Sequence, residues 1–215
     1  MKFPSILELK KISKSEFDDL EKRSEKPLYE ALKRCFDFMA ALFLLILFLP
    51  FWLLIVLLIH LDSPGKALFR HVRIGRNGKP FTLYKFRTMY KGVKDQELSP
   101  QTPHDERITK IGKFLRRTSF DEVPQLINIL KGEMSVVGPR PEMPFIVEHY
   151  TLFERKRLLV KTGLTGLWQI MGRKDLPLHH NLAFDFYYIR HRSLLLDFHI
   201  ILKTIGVVIS GKGAY

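Results

Sequence analysis

The chain has 215 residues, 46% of them hydrophobic and 27% charged, which excludes both a disordered tail and a polytopic membrane protein. Its 35 Lys and Arg against 22 Asp and Glu give a formal net charge of +13, so an anionic partner is expected: nucleic acid, a membrane surface or a phosphorylated substrate. A single cysteine, Cys35, excludes an internal disulfide framework and a cysteine-based zinc site, and reads by default as a small buried apolar residue.

Residues 1–30 carry seven basic and seven acidic side chains. Ile6, Leu9, Ile12, Phe17 and Leu20 are spaced loosely like one helical face, with Ser13 or Ser15 as caps, which predicts an amphipathic appendage without chemistry. The 24 residues from Phe38 to Leu61 then contain no Asp, Glu, Lys or Arg. A helix of that length reaches roughly 36 Å, enough to cross a ~30 Å hydrocarbon core. Pro50 sits in the middle, with 12 residues before it and 11 after, where it breaks or kinks a helix. Both flanks are basic: Lys33 and Arg34 precede the run, and Lys66, Arg70, Arg73 and Arg76 follow it. The positive-inside rule holds both ends on the cytoplasmic side. The predicted element over 31–61 is therefore a re-entrant membrane hairpin, helix–break–helix at Pro50, in preference to a single crossing.

Residues 67–88 predict a small β-hairpin, because two β-prone runs flank Asn77-Gly78. The two-residue period of the second strand puts Lys85 and Arg87 on one face, a pair of cations able to hold a phosphate. Residues 89–106 read as a polar loop, and residues 107–117 as a basic stretch leading into a helix. Residues 142–161 and 193–209 have helical lengths and apolar faces edged with Lys and Arg, which fits amphipathic helices lying on a bilayer as well as core helices. The fold class expected is α+β, mainly helical.

The stretch from Arg116 to Pro144, RRTSFDEVPQLINILKGEMSVVGPRPEMP, concentrates the candidate chemistry. Asp121 and Glu122 are adjacent acids in basic surroundings. Ser119 followed three residues later by Glu122 also matches a capping box, which is compatible with chemistry. Pro124 belongs in a first helical turn, so Asp121 lies near a helix N-terminus, where an ionised carboxylate is favoured. An ionised Asp can attack phosphorus, and Glu122 is placed to bind the divalent metal that such an attack on a diphosphate calls for. Arg140 is fixed between Pro139 and Pro141, which presents its guanidinium at reduced ordering cost. Arg116, Arg117 and Arg173 are further candidate diphosphate ligands.

Four strings carry a resemblance: IGRNGKPFTLYKFRTM, ERITKIGKFLRRTSFDEVPQLINILKGEMSVVGPRPEMP, GLTGLWQIMGR and FDFYYIRHRSLLLDFHIILKT. Together they resemble the bacterial sugar transferases, monotopic polyprenyl-phosphate phosphoglycosyl transferases, from about Tyr29 to Tyr215. The resemblance implies transfer of a sugar phosphate from a nucleotide diphosphate sugar to undecaprenyl phosphate at the cytoplasmic face of the bacterial inner membrane. It implies Asp121 as nucleophile, Glu122 as a Mg²⁺ ligand, and Lys85, Arg87, Arg116, Arg140 and Arg173 as matches to the family's basic motifs. It makes residues 62–215 the catalytic domain, with no nucleic-acid partner and a homodimer left open. Larger members carry added segments, so the chain looks like the minimal catalytic form. Thr162 stands where many members have Pro before GLTG, Phe120 where many have Leu, and Leu49 where some have Ser. A non-catalytic membrane scaffold of a polysaccharide assembly complex is the rival reading.

Overall fold

The computed structural model describes residues 20–90, 100, 105–171 and 181–210. A four-residue helix α1 (Leu20–Arg23) leads into α2 (Pro27–Asp62), a helix of 36 residues. Leu20 is fully buried with Val160, Leu182, Phe186 and Ile189, so the described part of the N-terminal segment is packed into the body. The rest of the predicted appendage, residues 1–19, lies outside the described residues.

α2 corrects the expected break. The helix runs through Pro50, which sits inside it and is exposed. One proline removes one backbone donor, and packing on either side holds the helix together. Phe48 meets Phe120 edge-on at 5.8 Å, and Trp52 meets Phe86 at 5.5 Å. Further out, Ala41 packs among Leu83, Leu126, Ile129 and Met134, while Ile55 and Ile59 pack on Ala67, Phe86 and Leu115. Both ends dock on the same body. Arg34 donates to the Ile129 and Leu130 carbonyls at 2.5 and 2.7 Å, and the Asp62 carboxylate accepts the Ile111 N–H at 3.0 Å. The opposite face carries Phe43, Ile46, Leu47, Leu53, Leu54 and Leu57, all exposed. The helix is long and apolar enough to cross a membrane, and only 11% of its most apolar window is buried, unlike a soluble core helix. Cys35, expected to be buried, is exposed on this helix.

The predicted hairpin forms as β1 (Leu68–Ile74) and β2 (Pro80–Phe86), antiparallel, with Leu68 opposite Phe86 and Ile74 opposite Pro80. Asn77 and Gly78 turn the chain with φ of 57° and 74°, the left-handed region that favours these two residue types. Helix α3 (Lys110–Thr118) starts at Thr109, whose hydroxyl caps the Gly112 N–H at 2.9 Å. A 3₁₀ turn (Phe120–Gln125) follows and passes into α4 (Leu126–Lys131), then β3 (Met134–Val137). β3 pairs in parallel with β4 (Thr162–Thr165). These two small sheets in a mainly helical chain give the expected α+β class.

The expected helix over 142–161 is corrected to two short pieces, α5 (Pro144–Glu148) and a 3₁₀ turn (Glu154–Leu159). The physical reason is a capping box. Glu154 accepts from the Thr151 N–H and hydroxyl, both at 2.8 Å, and the Thr151 hydroxyl accepts the Glu154 N–H at 3.2 Å. Helices α6 (Leu167–Met171), α7 (Ala183–His191) and α8 (Leu194–Ser210) close the body. The last agrees with the amphipathic helix expected over 193–209. Leu196 and Ile200 are buried with Val137, Trp168 and Phe184, while Leu195, Phe198, Leu202, Ile205 and Ile209 are exposed.

Candidate active site

β2 packs along the 3₁₀ turn, so the strand's cation meets the turn's acids. Lys85 Nζ lies 2.6 Å from Glu122 Oε1 and 3.8 Å from Asp121 Oδ2. Arg140 Nη2 reaches the same Glu122 oxygen at 3.0 Å. The capping box expected at Ser119 is replaced: Ser119 makes no side-chain cap, and Glu122 is engaged by these two cations instead. Ser119 itself ends α3 in the left-handed region, which turns the chain sharply and sets Asp121 inward.

The register of β2 is locked from behind. Asn128, fully buried on α4, accepts the Tyr84 N–H at 3.2 Å and donates to the Thr82 carbonyl at 2.6 Å. It thus pairs with the free edge of the strand and fixes where Lys85 emerges. Arg116 stands beyond Asp121, with its Nε held by the Thr88 hydroxyl at 2.9 Å.

Arg140 is presented by a loop tied at three points. The Gly163 N–H donates to the Pro139 carbonyl at 2.8 Å, Arg157 Nη2 to the Arg140 carbonyl at 2.8 Å, and the Ile74 N–H to the Glu142 carbonyl at 3.0 Å. A Cβ on Gly163 would stand 2.1 Å from the Gly138 nitrogen, so only glycine allows the two loops to meet backbone to backbone. Thr162, at the departure from the family pattern, begins β4 opposite Met134, with its hydroxyl buried and without a hydrogen-bond partner. The Arg140 guanidinium also lies 5.8 Å from the centre of the Trp168 ring. Arg157 is itself buried, held by Asp185 at 2.9 Å and by the Tyr150 hydroxyl at 2.6 Å.

Burial pushes the Asp121 carboxyl up, with Lys85 opposing it. Burial would raise Glu122 too, but Lys85 and Arg140 hold its carboxyl far below the usual carboxylate range. The pair is thus split: Glu122 is held ionised by its two cations, while burial favours the neutral form of Asp121.

Of the sequence candidates, Asp121, Glu122, Lys85, Arg140 and Arg116 come together. Arg87 does not join them. Its guanidinium donates to the Ile59, Ser63 and Pro64 carbonyls at 3.2, 2.6 and 2.8 Å, closing the C-terminal end of α2. Arg117 is exposed, and Arg173 lies outside the described residues. Arg73 is a site cation that the sequence reading passed over as a flanking charge. It shares a hairpin face with Lys85, its Nε is buried without a hydrogen-bond partner, and burial together with Arg140 lowers its pKa to about 10. Its two-residue spacing in β1 was the available signal.

Among the described residues, no group of three or more His, Cys, Asp or Glu side chains gathers as a metal cage. The donor set fits the other way of holding magnesium, with one or two carboxylates and the rest of the shell from phosphate and water. Both cation contacts of Glu122 fall on Oε1, and Asp121 stands beside it.

Comparison with known proteins places this geometry in context. Residues 28–211 match the family model described as bacterial sugar transferase. The chain is 39% identical over 205 residues to the exopolysaccharide production protein ExoY of Rhizobium meliloti, covering 88% of this chain and 91% of that protein. It is 39% identical over 199 residues to a UDP-galactose-lipid carrier transferase of Erwinia amylovora, covering 86% of this chain but 42% of that protein. A UDP-glucose:undecaprenyl-phosphate glucose-1-phosphate transferase of Escherichia coli is 38% identical over 205 residues, 88% of this chain and 44% of its own length. The chain therefore spans less than half of some relatives and nearly all of ExoY.

Proposed function

We propose, because the chain belongs to the bacterial sugar transferase family, that it moves a sugar phosphate from a UDP-sugar to undecaprenyl phosphate at the cytoplasmic face of the bacterial inner membrane. The observation that carries the reading is the carboxylate pair Asp121–Glu122 enclosed by Lys85, Arg140 and Arg116. Two acids cannot bind a diphosphate unaided; the surplus of cations lets an anionic nucleophile approach an anionic donor.

An Asp121 carboxylate oxygen attacks the sugar-bearing β-phosphorus. The P–O bond to UMP breaks and UMP leaves with the electron pair, giving an aspartyl-phosphosugar. An oxygen of the polyprenyl phosphate then attacks the same phosphorus, the bond to Asp121 breaks, and the carboxylate is restored. Arg140 and Arg116 bind and orient the phosphate oxygens, and Lys85 holds Glu122 ionised next to the nucleophile. Glu122 would hold the magnesium, which when bound neutralises diphosphate charge.

The acceptor is a lipid, and α2 supports its delivery in the leaflet. Both ends of α2 dock on one body, which favours a helix whose two flanks stay on the same side of the bilayer. Asp121→Asn should abolish UMP release and the covalent adduct on the peptide that contains residue 121, read by mass spectrometry of donor-quenched enzyme. Full turnover in that variant overturns the reading, as does wild-type turnover with only unmodified peptide.

A further inference from the structure

A polar cavity of about 50 Å³ opens beside the first turns of α2, with Ser135 and Val137 of β3 in its lining. It is lined by Lys33, Arg34, Arg76, Lys161 and Arg192, with Glu30 and Asp37 as the acids of the wall. Most of these charges are matched. Arg76 and Arg192 grip Glu30 at 2.7 and 2.9 Å, and Lys33 grips Asp197 at 2.8 Å. Two cations have no carboxylate of their own among the described residues. Arg34 spends its donors on the carbonyls ending α4. The Lys161 ammonium, half-buried, makes no ion pair or hydrogen bond there.

These two cations converge. The Arg34 guanidinium and Lys161 Nζ lie 3.4 and 3.7 Å from one point, the place where a Cβ on Gly132 would stand. Gly132 has φ +81° and no side chain, so it leaves the space between them clear. Burial and the nearby Arg34 and Arg76 charges press the Lys161 pKa downward, against the opposing pull of Asp37 and Glu30. Exposed apolar side chains lie along α2 on both sides of Arg34, Leu28 and Leu32 before it and Phe36, Phe38 and Met39 after it, and the guanidinium lies 5.7 Å from the centre of the Phe38 ring. The cavity thus opens beside turns of α2 that carry both charged and exposed apolar side chains.

We infer that this cavity is an anion site for a phosphate group, formed by Lys161 and Arg34 with Arg76 at its rim. A bilayer phospholipid headgroup and free phosphate share that chemistry. The inference stands apart from the catalytic reading, since none of these residues belongs to the Asp121 cluster.

The test uses the full chain with Lys161→Glu, Lys161→Gln and the charge-preserving Lys161→Arg. Native mass spectrometry of protein extracted from phospholipid nanodiscs should show a retained phospholipid in wild type and Lys161→Arg. It should fall about fivefold or more in Lys161→Gln and further in Lys161→Glu, with UMP release unchanged. If no lipid is retained but inorganic phosphate raises the unfolding midpoint of wild type and Lys161→Arg and not of Lys161→Gln, the site serves a soluble phosphate. Equal lipid retention in all four proteins, or neither lipid retention nor a phosphate response in wild type, overturns the inference. Loss of UMP release in wild type would count against the catalytic reading and leave these readouts intact.

Discussion

Lys85 divides its charge between two carboxylates, and the division has a measurable sign. In the proposed mechanism a buried Asp121 acts as the anion, so rate should be lost as pH falls through its raised pKa. Lys85 pulls that pKa down. In Lys85→Met the acid limb of kcat/KM should therefore move to higher pH, with turnover at neutral pH down by about 100-fold or more. A pH–rate profile whose limb stays in place would remove Lys85 from this role. Arg157 gives a second case. It ties the Arg140 carbonyl while pairing with buried Asp185. Arg157→Met should cost roughly 3–5 kcal/mol in urea unfolding, because a buried carboxylate loses its partner. Five of the site residues could be read from the sequence because acids and bases clustered within a few motifs. Arg87 shared the spacing of Lys85, yet β2 ends at Phe86, and the next cation turns to the end of α2. No local pattern encodes that choice. Arg73 was hidden because it resembles any other charge beside an apolar run.

At the scale of elements, the hairpin was legible because Asn77-Gly78 is its own signal, whereas its placement depends on a distant side chain. Asn128 supplies both a donor and an acceptor to the edge of β2. Asn128→Leu keeps the branched shape and strands the Tyr84 N–H and the Thr82 carbonyl, so about 3 kcal/mol of stability should be lost by denaturant titration. Asn128→Ser should lose less. The interval 142–161 misled because its apolar spacing suits a helix, while Thr151 and Glu154 begin a new turn inside it. Pro50 misled in the opposite direction. A proline states that one hydrogen bond is gone, but whether the helix ends there is decided by neighbours such as Phe120 and Phe86.

At the scale of the molecule, the apolar helix is also a wall of the globular core: Ala41 and Ile59 are both buried in it. Chain topology can be read with the native thiol, since Cys35 is the sole cysteine and is exposed. Wild type reports one flank of α2, and a Cys35→Ser, Lys66→Cys protein reports the other. In sealed inverted vesicles both should react with an impermeant maleimide. Protection of one flank alone would mean that α2 crosses.

The Phe48–Phe120 contact joins that wall to the proposed nucleophile, because Phe120 immediately precedes Asp121 in the chain. A shift in acyl-chain order around mid-helix should therefore reach the ring one peptide away from the carboxylate proposed to react. Catalytic rate should accordingly track the thickness and lateral pressure of the surrounding lipid, and Phe48→Ala should blunt that response.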